Sequence, residues 1–363
     1  MSLCGTALGG IKVELRSAMR KLHRWKTCAT SAALFFQACA GHQQSAVDSA
    51  GPQAGRIETL WWFLFALLGL IFLIVMLVMF WALMRRHRGI EQEPLETTHE
   101  PSEATERKLG RSVWGATIIT TVILFVILIA SVSAGKQITD LGGKQNALVV
   151  EVTGNQWWWG VRYMSDNASQ IFTTANEIHI PVGRPVMIRG LSNDVIHSFW
   201  APNLHGKRDL IPSRVTTEWI EADIPGRFRG QCAEFCGMQH AHMALWVVAE
   251  PEAQFRAWTA AQLQPAAPPS DADAQHGQQV FLNNACVLCH AIQGTAAAGT
   301  VGPDLTHIGG RISLAAGTLP NTKGNLAGWI SDPQTIKPGN HMAVVPIRSE
   351  DLEPLVDYLE SLK

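Results

Sequence analysis

Gln231-Cys232-Ala233-Glu234-Phe235-Cys236-Gly237-Met238-Gln239-His240-Ala241-His242-Met243 is the stretch on which the reading turns. Two thiols fall within one short loop, beside imidazole and thioether side chains. Soft sulfur with imidazole favours copper over hard cations. A second histidine lies upstream, in Asp194-Val195-Ile196-His197-Ser198-Phe199-Trp200. Two thiolates that turn inward from one loop can bridge two copper ions, each completed by one histidine. Zinc would accept two Cys and two His, but it gives Met243 no role and usually takes Cys-x-x-Cys spacing. A disulfide would leave both histidines unexplained.

Working outward, residues 147–250 are short β-rich runs separated by turn signals. Strands are expected at 148–153, 170–180, 185–191, 216–221 and 244–249. Pro181-Val182-Gly183, Pro212-Ser213 and Pro225-Gly226 punctuate them. About 100 residues of evenly spaced strands suggest a β-sandwich or barrel. Alternation at Glu177-Ile178-His179-Ile180 predicts a strand with one wet face, so His179 reads as a surface residue.

Upstream, residues 59–84 and 112–134 carry no charge. Each run exceeds the ~20 residues needed to cross a bilayer as a helix. Arg85, Arg86 and Arg88 flank the intervening loop on one side, and Arg107, Lys108 and Arg111 on the other. Positive charge at both ends places loop 85–111 in the cytoplasm, with both outer segments on the periplasmic or outer face. Residues 1–38 read as a signal peptide: Arg16, Arg20, Lys21, Arg24 and Lys26 precede a short apolar run. Cys39 then follows a small residue, as at a lipoprotein processing site. The alternative is an uncleaved leader with an idle cysteine. Residues 39–58 would be a periplasmic segment.

Downstream, the Pro/Ala-rich stretch after the β region marks 251–273 as a linker. Cys286-Val287-Leu288-Cys289-His290 follows. Cys-x-x-Cys-His is the attachment sequence for c-type haem: two thioethers, and a histidine placed to bind iron. In the later loop Lys337-Pro338-Gly339-Asn340-His341-Met342, Met342 is the expected opposite axial ligand, with His341 as the competing candidate. A final amphipathic helix aligns Leu352, Leu355, Val356, Leu359 and Leu362 to close the haem pocket. Residues 274–363 resemble a small class I cytochrome c domain, which implies an all-α fold. The 363 residues carry Lys+Arg 29 against Asp+Glu 30, so no basic surplus exists to hold nucleic acid. Of the seven cysteines, two come as Cys-x-x-x-Cys and two as Cys-x-x-Cys-His, so the thiols look like ligands and attachment points rather than a disulfide framework.

His197 followed by Cys-x-Glu-x-Cys-x-x-x-His-x-x-Met resembles the binuclear copper motif of cytochrome c oxidase subunit II. Gln156-Trp157-Trp158-Trp159 resembles that family's aromatic segment, and the paired spans resemble its helical hairpin. The resemblance implies a multidomain membrane protein with a two-helix transmembrane hairpin, an all-β cupredoxin-like copper domain and the fused all-α cytochrome c domain. This combination resembles the caa-type bacterial terminal oxidases. It further implies His197 and His240 as terminal copper ligands, Cys232 and Cys236 as bridges, Met243 as an axial ligand and the Glu234 carbonyl as the other. The Glu234 side chain would bind magnesium at the subunit I boundary, and Trp157 would be the electron-entry residue. Trp158, Trp159, His205 and His242 receive no such role. Implied partners are subunit I with haem a and the oxygen-reducing centre, subunit III, and an external cytochrome c or bc-type complex as donor. The implied setting is the bacterial plasma membrane, crossed more than once. The competing reading is the electron-entry subunit of a copper-containing nitric oxide reductase. A copper-storage protein would leave the haem motif without work.

Overall fold

The computed structural model describes residues 43–86, 102–140 and 147–363. The expected signal peptide, Cys39 and most of the loop between the spans lie outside the described residues.

Two long helices come first: α1, Pro52–Arg86, and α2, Glu103–Asp140. Their most apolar windows have mean hydropathies of 3.1 and 2.5, and neither window is buried by the rest of the chain. Leu, Phe, Trp and Ile side chains are exposed all round, from Trp61 to Met84 and from Val113 to Val132. A helix apolar on every face needs an apolar solvent. At 1.5 Å per residue, α1 is about 52 Å long, well beyond the ~30 Å hydrocarbon core. Both helices therefore outrun the apolar stretches expected to cross. Arg107, placed by the sequence in a loop, lies in the second turn of α2, paired with Glu103 at 3.0 Å. The start of α1 is fastened to the β domain, because Ala50 N–H donates to Asn203 O at 2.7 Å and Ala54 N–H to Leu204 O at 3.2 Å.

Ten strands follow: β1 Leu148–Asn155, β2 Trp158–Met164, β3 Phe172–Ala175, β4 Glu177–Pro181, β5 Val186–Ser192, β6 His197–Phe199, β7 Arg208–Leu210, β8 Thr216–Ile220, β9 Gly226–Gln231 and β10 Ala244–Glu250. One sheet has the order β3-β2-β1-β5-β8, a second β4-β10-β9, and β6 pairs with β7. β1 runs antiparallel to β2 and parallel to β5. Val150 and Val152 from β1, Ile188 from β5 and Ile220 from β8 join Ile178, Ile180, Phe228 and Val247 of the other sheet in one core. Inward β-branched and aromatic residues from two sheets make the expected cupredoxin-like sandwich.

Two expectations change here. His179 is buried, not on a wet face. Its ring stacks on Trp258 at 4.0 Å and 7°, with its nitrogens 2.8 Å from Glu177 and 3.3 Å from Glu250. Trp258 belongs to α3, Glu252–Gln262, a helix inside the stretch read as a linker. Phe255, on the same helix, enters the β core. The two aromatics give this segment a buried face, so it folds onto the sandwich instead of spacing the domains.

The C-terminal domain is helical: α4 Ala272–Asn283, α5 Cys286–Cys289, α6 Lys323–Ser331, α7 Pro333–Ile336 and α8 Ser349–Ser361, with a small hairpin of β11 Ser313–Leu314 and β12 Leu319–Pro320. Asp271 caps α4 by accepting from Ala274 N–H at 2.8 Å. α4 and α8 cross where Gly277 meets Pro354, since a Cβ on Gly277 would lie 1.9 Å from the Pro354 carbonyl oxygen. Leu355, Val356, Leu359 and Leu362 are buried as expected, and Leu352 packs at the edge of this core.

Candidate metal centre and haem site

The copper loop runs from the end of β9 to the start of β10, so both ends are pinned in one sheet. Cys232, Cys236, Met243 and His197 are all buried. The His197, Cys232 and Cys236 ligand atoms lie within 4.8 Å of one another. Cys232 Sγ is 3.8 Å from His197 Nδ1, Cys236 Sγ is 3.6 Å from His240 Nδ1, and Met243 Sδ is 3.8 Å from Cys236 Sγ. The Glu234 carbonyl oxygen lies 3.2 Å from Cys232 Sγ. Two ligands sharing a first-row ion at bond lengths of about 2.0–2.3 Å and a tetrahedral angle stand ~3.5 Å apart. The S···N spacings fit ligands sharing a metal, and the donor set suits copper. The structure thus brings together all six residues that the sequence assigned here.

A carboxylate orients the first ligand. His197 Nε2–H donates to Asp194 Oδ1 at 2.7 Å, so Nδ1 keeps its lone pair toward the sulfurs. Asp194 also accepts from Gln156 N–H at 2.7 Å. Sequence reading gave Asp194 no role; its position three residues before the ligand His was the available signal. The thiols are unequal. Hydrogen bonding from Cys236, and then from His197, outweighs burial and brings the Cys232 thiol down to about 3. The neighbouring Cys232 and burial push Cys236 up. Both sulfurs would bind a metal as thiolates, so loading the site would release protons.

Gln156 Nε2–H and Trp157 Nε1–H both donate to the Cys236 carbonyl, at 2.8 and 2.9 Å. Trp157 is thus held against the loop by its own indole donor. Trp159 is a core residue packed edge-on near His197. The Glu234 side chain points out of the loop to Lys207 at 3.0 Å, with both groups nearly half exposed. Such a pair is worth about 0–1 kcal/mol, little against a divalent cation. His242 supports the loop from behind through Gln239 Oε1 at 2.7 Å. His205 pairs with buried Glu218 at 2.9 Å, away from the ligands.

In the helical domain, Cys286 and Cys289 sit on one turn of helix and His290 follows directly. His290 Nδ1–H donates to Pro303 O at 2.7 Å, which leaves Nε2 as the free lone pair for iron. Burial holds His290 below its ordinary pKa, favouring the neutral ligand form. A Cβ on Gly302 would fall 2.7 Å from His290 Cε1, so only glycine lets this loop lie across the ring. The Met342 loop is braced by Gln334, whose amide donates to Asn340 O and Met342 O at 2.8 and 2.9 Å. Leu288, Val301 and Val344 present exposed apolar side chains, as residues that line a large apolar cofactor would. These features fit haem c held by Cys286, Cys289 and His290, with Met342 carried on a braced loop.

The two domains touch at the metal loops. The His341 ring lies 5.9 Å from the Trp157 ring. Gln239 Nε2–H donates to Pro338 O at 2.6 Å, and Lys337 Nζ–H to Trp157 O at 2.8 Å. Ala244 N–H donates to Ala316 O at 2.8 Å and Ile312 N–H to Glu177 at 2.9 Å.

The chain matches the family described as cytochrome c oxidase subunit II, periplasmic domain, over residues 164–250, and the cytochrome c family over 274–363. It is 33% identical to cytochrome c oxidase subunit 2 of Alkalihalophilus pseudofirmus, covering 93% of this chain and 98% of that protein. It is 31% identical to the same subunit of a Bacillus species, over 71% of this chain and 78% of that one. A solved structure of the periplasmic domain of cytochrome oxidase subunit II from Bradyrhizobium japonicum is 29% identical, covering 33% of this chain and 96% of that one, with a TM-score of 0.31. Two membrane-length apolar helices and these relatives indicate a membrane protein with an extracellular domain. A copper loop in a β-sandwich and a haem-attachment helix in a fused cytochrome c domain, on a relative shared nearly end to end, make this chain a member of the cytochrome c oxidase subunit II family.

Proposed function

We propose that this chain is the electron-transfer subunit of a haem-copper terminal oxidase, carrying electrons from haem c to a binuclear copper centre and on to haem a of subunit I, where dioxygen is reduced to water. When bound, the haem and the copper pair supply one-electron centres with soft, rigid ligation. His197, Cys232, Cys236, His240, Met243 and the Glu234 carbonyl would hold the copper pair; His290 and Met342 would hold the haem iron. The chain's own residues then have two tasks: to keep ligands from moving, and to supply contact between the centres. Buried ligands and the Asp194 brace serve the first.

The observation that carries the reading concerns the second. His341, adjacent to the haem ligand Met342, faces Trp157, and Trp157 Nε1–H donates directly to the carbonyl of Cys236. Contact between the two ligand sets therefore needs only two side chains. The Glu234 carboxylate, aimed outward from the loop and only weakly paired, would bind magnesium at the subunit I boundary. Subunits I and III, an external cytochrome c or bc-type donor, and a twice-crossing topology in the bacterial plasma membrane complete the proposal.

The test is flash-initiated electron transfer in the assembled oxidase carrying Trp157→Phe. Phenylalanine keeps the ring but loses the donor to Cys236. Transfer from haem c to copper is expected to slow roughly tenfold, with both centres fully loaded. An unchanged rate with normal copper and haem content would place the entry point elsewhere.

A further inference from the structure

Lys337 is a lysine in an unusual place. Only 2% of it is exposed. Its ammonium donates to two carbonyls, Trp157 O at 2.8 Å and Ala315 O at 3.0 Å, and among the described residues no carboxylate is paired with it. Buried lysines are uncommon and costly unless paired. Burial accordingly brings Lys337 down to about 7. A methionine of similar volume would fill the same space without that cost. What the ammonium adds is direction, because it fixes the backbone of Trp157 relative to the loop on which it sits.

That loop is rigid on its own side. Lys337 N–H donates to Pro333 O at 2.9 Å, and Asn340 Nδ2–H donates to Pro333 O and Lys337 O at 2.9 and 2.7 Å. Met342 N–H donates to Asn340 Oδ1 at 2.8 Å. The distance from Lys337 to Met342 is thereby set within the cytochrome domain. Trp157 is equally fixed to Cys236 within the copper domain. Lys337 joins these two rigid pieces, and through Ala315 it also gathers the hairpin loop whose neighbour Ala316 meets Ala244.

We propose that Lys337 is a positioning residue that locks the cytochrome domain onto the copper domain in one electron-transfer geometry, so that the fused cytochrome works as a docked unit and not as a tethered, searching one. The proposal rests on the electron-transfer reading given above. It explains why a lysine stands where an apolar residue would pack: two carbonyls from different domains need a common donor, and a thioether has none.

The experiment uses the assembled oxidase with Lys337→Met and Lys337→Arg. Pulsed electron paramagnetic resonance reads the distance distribution between the oxidised copper pair and ferric haem c, from the relaxation that the haem induces in the copper signal. Flash kinetics read the transfer rate as a function of viscosity. Wild type is expected to give one narrow distribution and a viscosity-independent rate. Lys337→Met should broaden the distribution, slow transfer roughly ten- to hundredfold and make it viscosity-dependent, with both optical spectra intact. Lys337→Arg, which keeps donors to the carbonyls, should recover much of the rate. A narrow distribution and unchanged rate in a fully loaded Lys337→Met enzyme overturn the lock. If that variant does not load its cofactors, wild type alone decides: a broad distribution or a viscosity-dependent rate overturns the lock. The functional reading fails separately, by an unchanged Trp157→Phe rate alongside a narrow distribution.

Discussion

The copper loop and the haem domain solve the same problem in opposite ways. Among the residues proposed to hold copper, Cys232, Cys236, His197 and Met243 are buried by protein, and the loop joins two adjacent strands. None of the four residues proposed to hold haem is fully buried, and Leu288, Val301 and Val344, close to them in sequence, are exposed. Those four donors are held by the β-sandwich itself, so a metal would only have to join them. The helical domain has a core of its own, from Val280 to Leu362, to which a bound haem would add further apolar contact. A metal ion adds charge and bonds; a porphyrin adds apolar surface, and a small domain has little to spare.

The largest expected effect tests this contrast directly. Replacing Cys286 and Cys289 together by alanine should remove the c-type spectrum and the cooperative unfolding of the C-terminal domain, read by calorimetry. Stripping copper with a chelator should erase the copper absorption while leaving the β-sandwich folded by circular dichroism. Collapse of the β domain on chelation, or an unaltered C-terminal transition without haem, would break the comparison.

A smaller effect sharpens the claim that the copper site is preorganised. Asp194→Ala removes the carboxylate that fixes His197 and also its bond to Gln156 N–H. Copper affinity should fall roughly 10–100-fold, with haem c unaffected; affinity within twofold of wild type would show that the loop orients His197 unaided.

The smallest effect lies under the sandwich, away from both cofactors. Burial pulls the His179 pKa down, but the Glu177 and Glu250 carboxylates outweigh it and raise it above the ordinary value. The folded state therefore binds this proton more tightly than the unfolded one. Its stabilisation is complete below about pH 6.5 and fades as pH rises through the folded pKa. Denaturant melts of the β domain within the full chain should show a loss of stability above neutral pH that His179→Gln lacks. Parallel pH profiles for the two would remove this contribution.

Much of the candidate site was readable from residues alone, because its signals are local. Cys-x-x-x-Cys with His and Met downstream, and Cys-x-x-Cys-His, encode ligand spacing over a few residues. Two uncharged apolar runs encode a requirement for lipid by composition. Strands β2, β6, β7 and β9 were harder to see: β6 and β7 span three residues each, and Arg227 and Arg229 interrupt the apolar pattern of β9.

What tertiary structure decided is everything that depends on a partner far along the chain. The alternation at 177–180 reads correctly as a strand, yet its expected wet face is covered by Trp258 from a helix about eighty residues later. Asp194 becomes a brace only because His197 turns toward Cys232. Lys337 looks in sequence like an ordinary solvated loop lysine; packing of one domain against the other leaves it between the carbonyls of Trp157 and Ala315. Composition and spacing pointed to soft-metal and haem chemistry and to an apolar solvent, since those follow from chemistry within a few residues. Burial, and with it the geometry between the two redox sites, was decided only by folding, because a side chain's surroundings come from segments that sequence distance does not reveal.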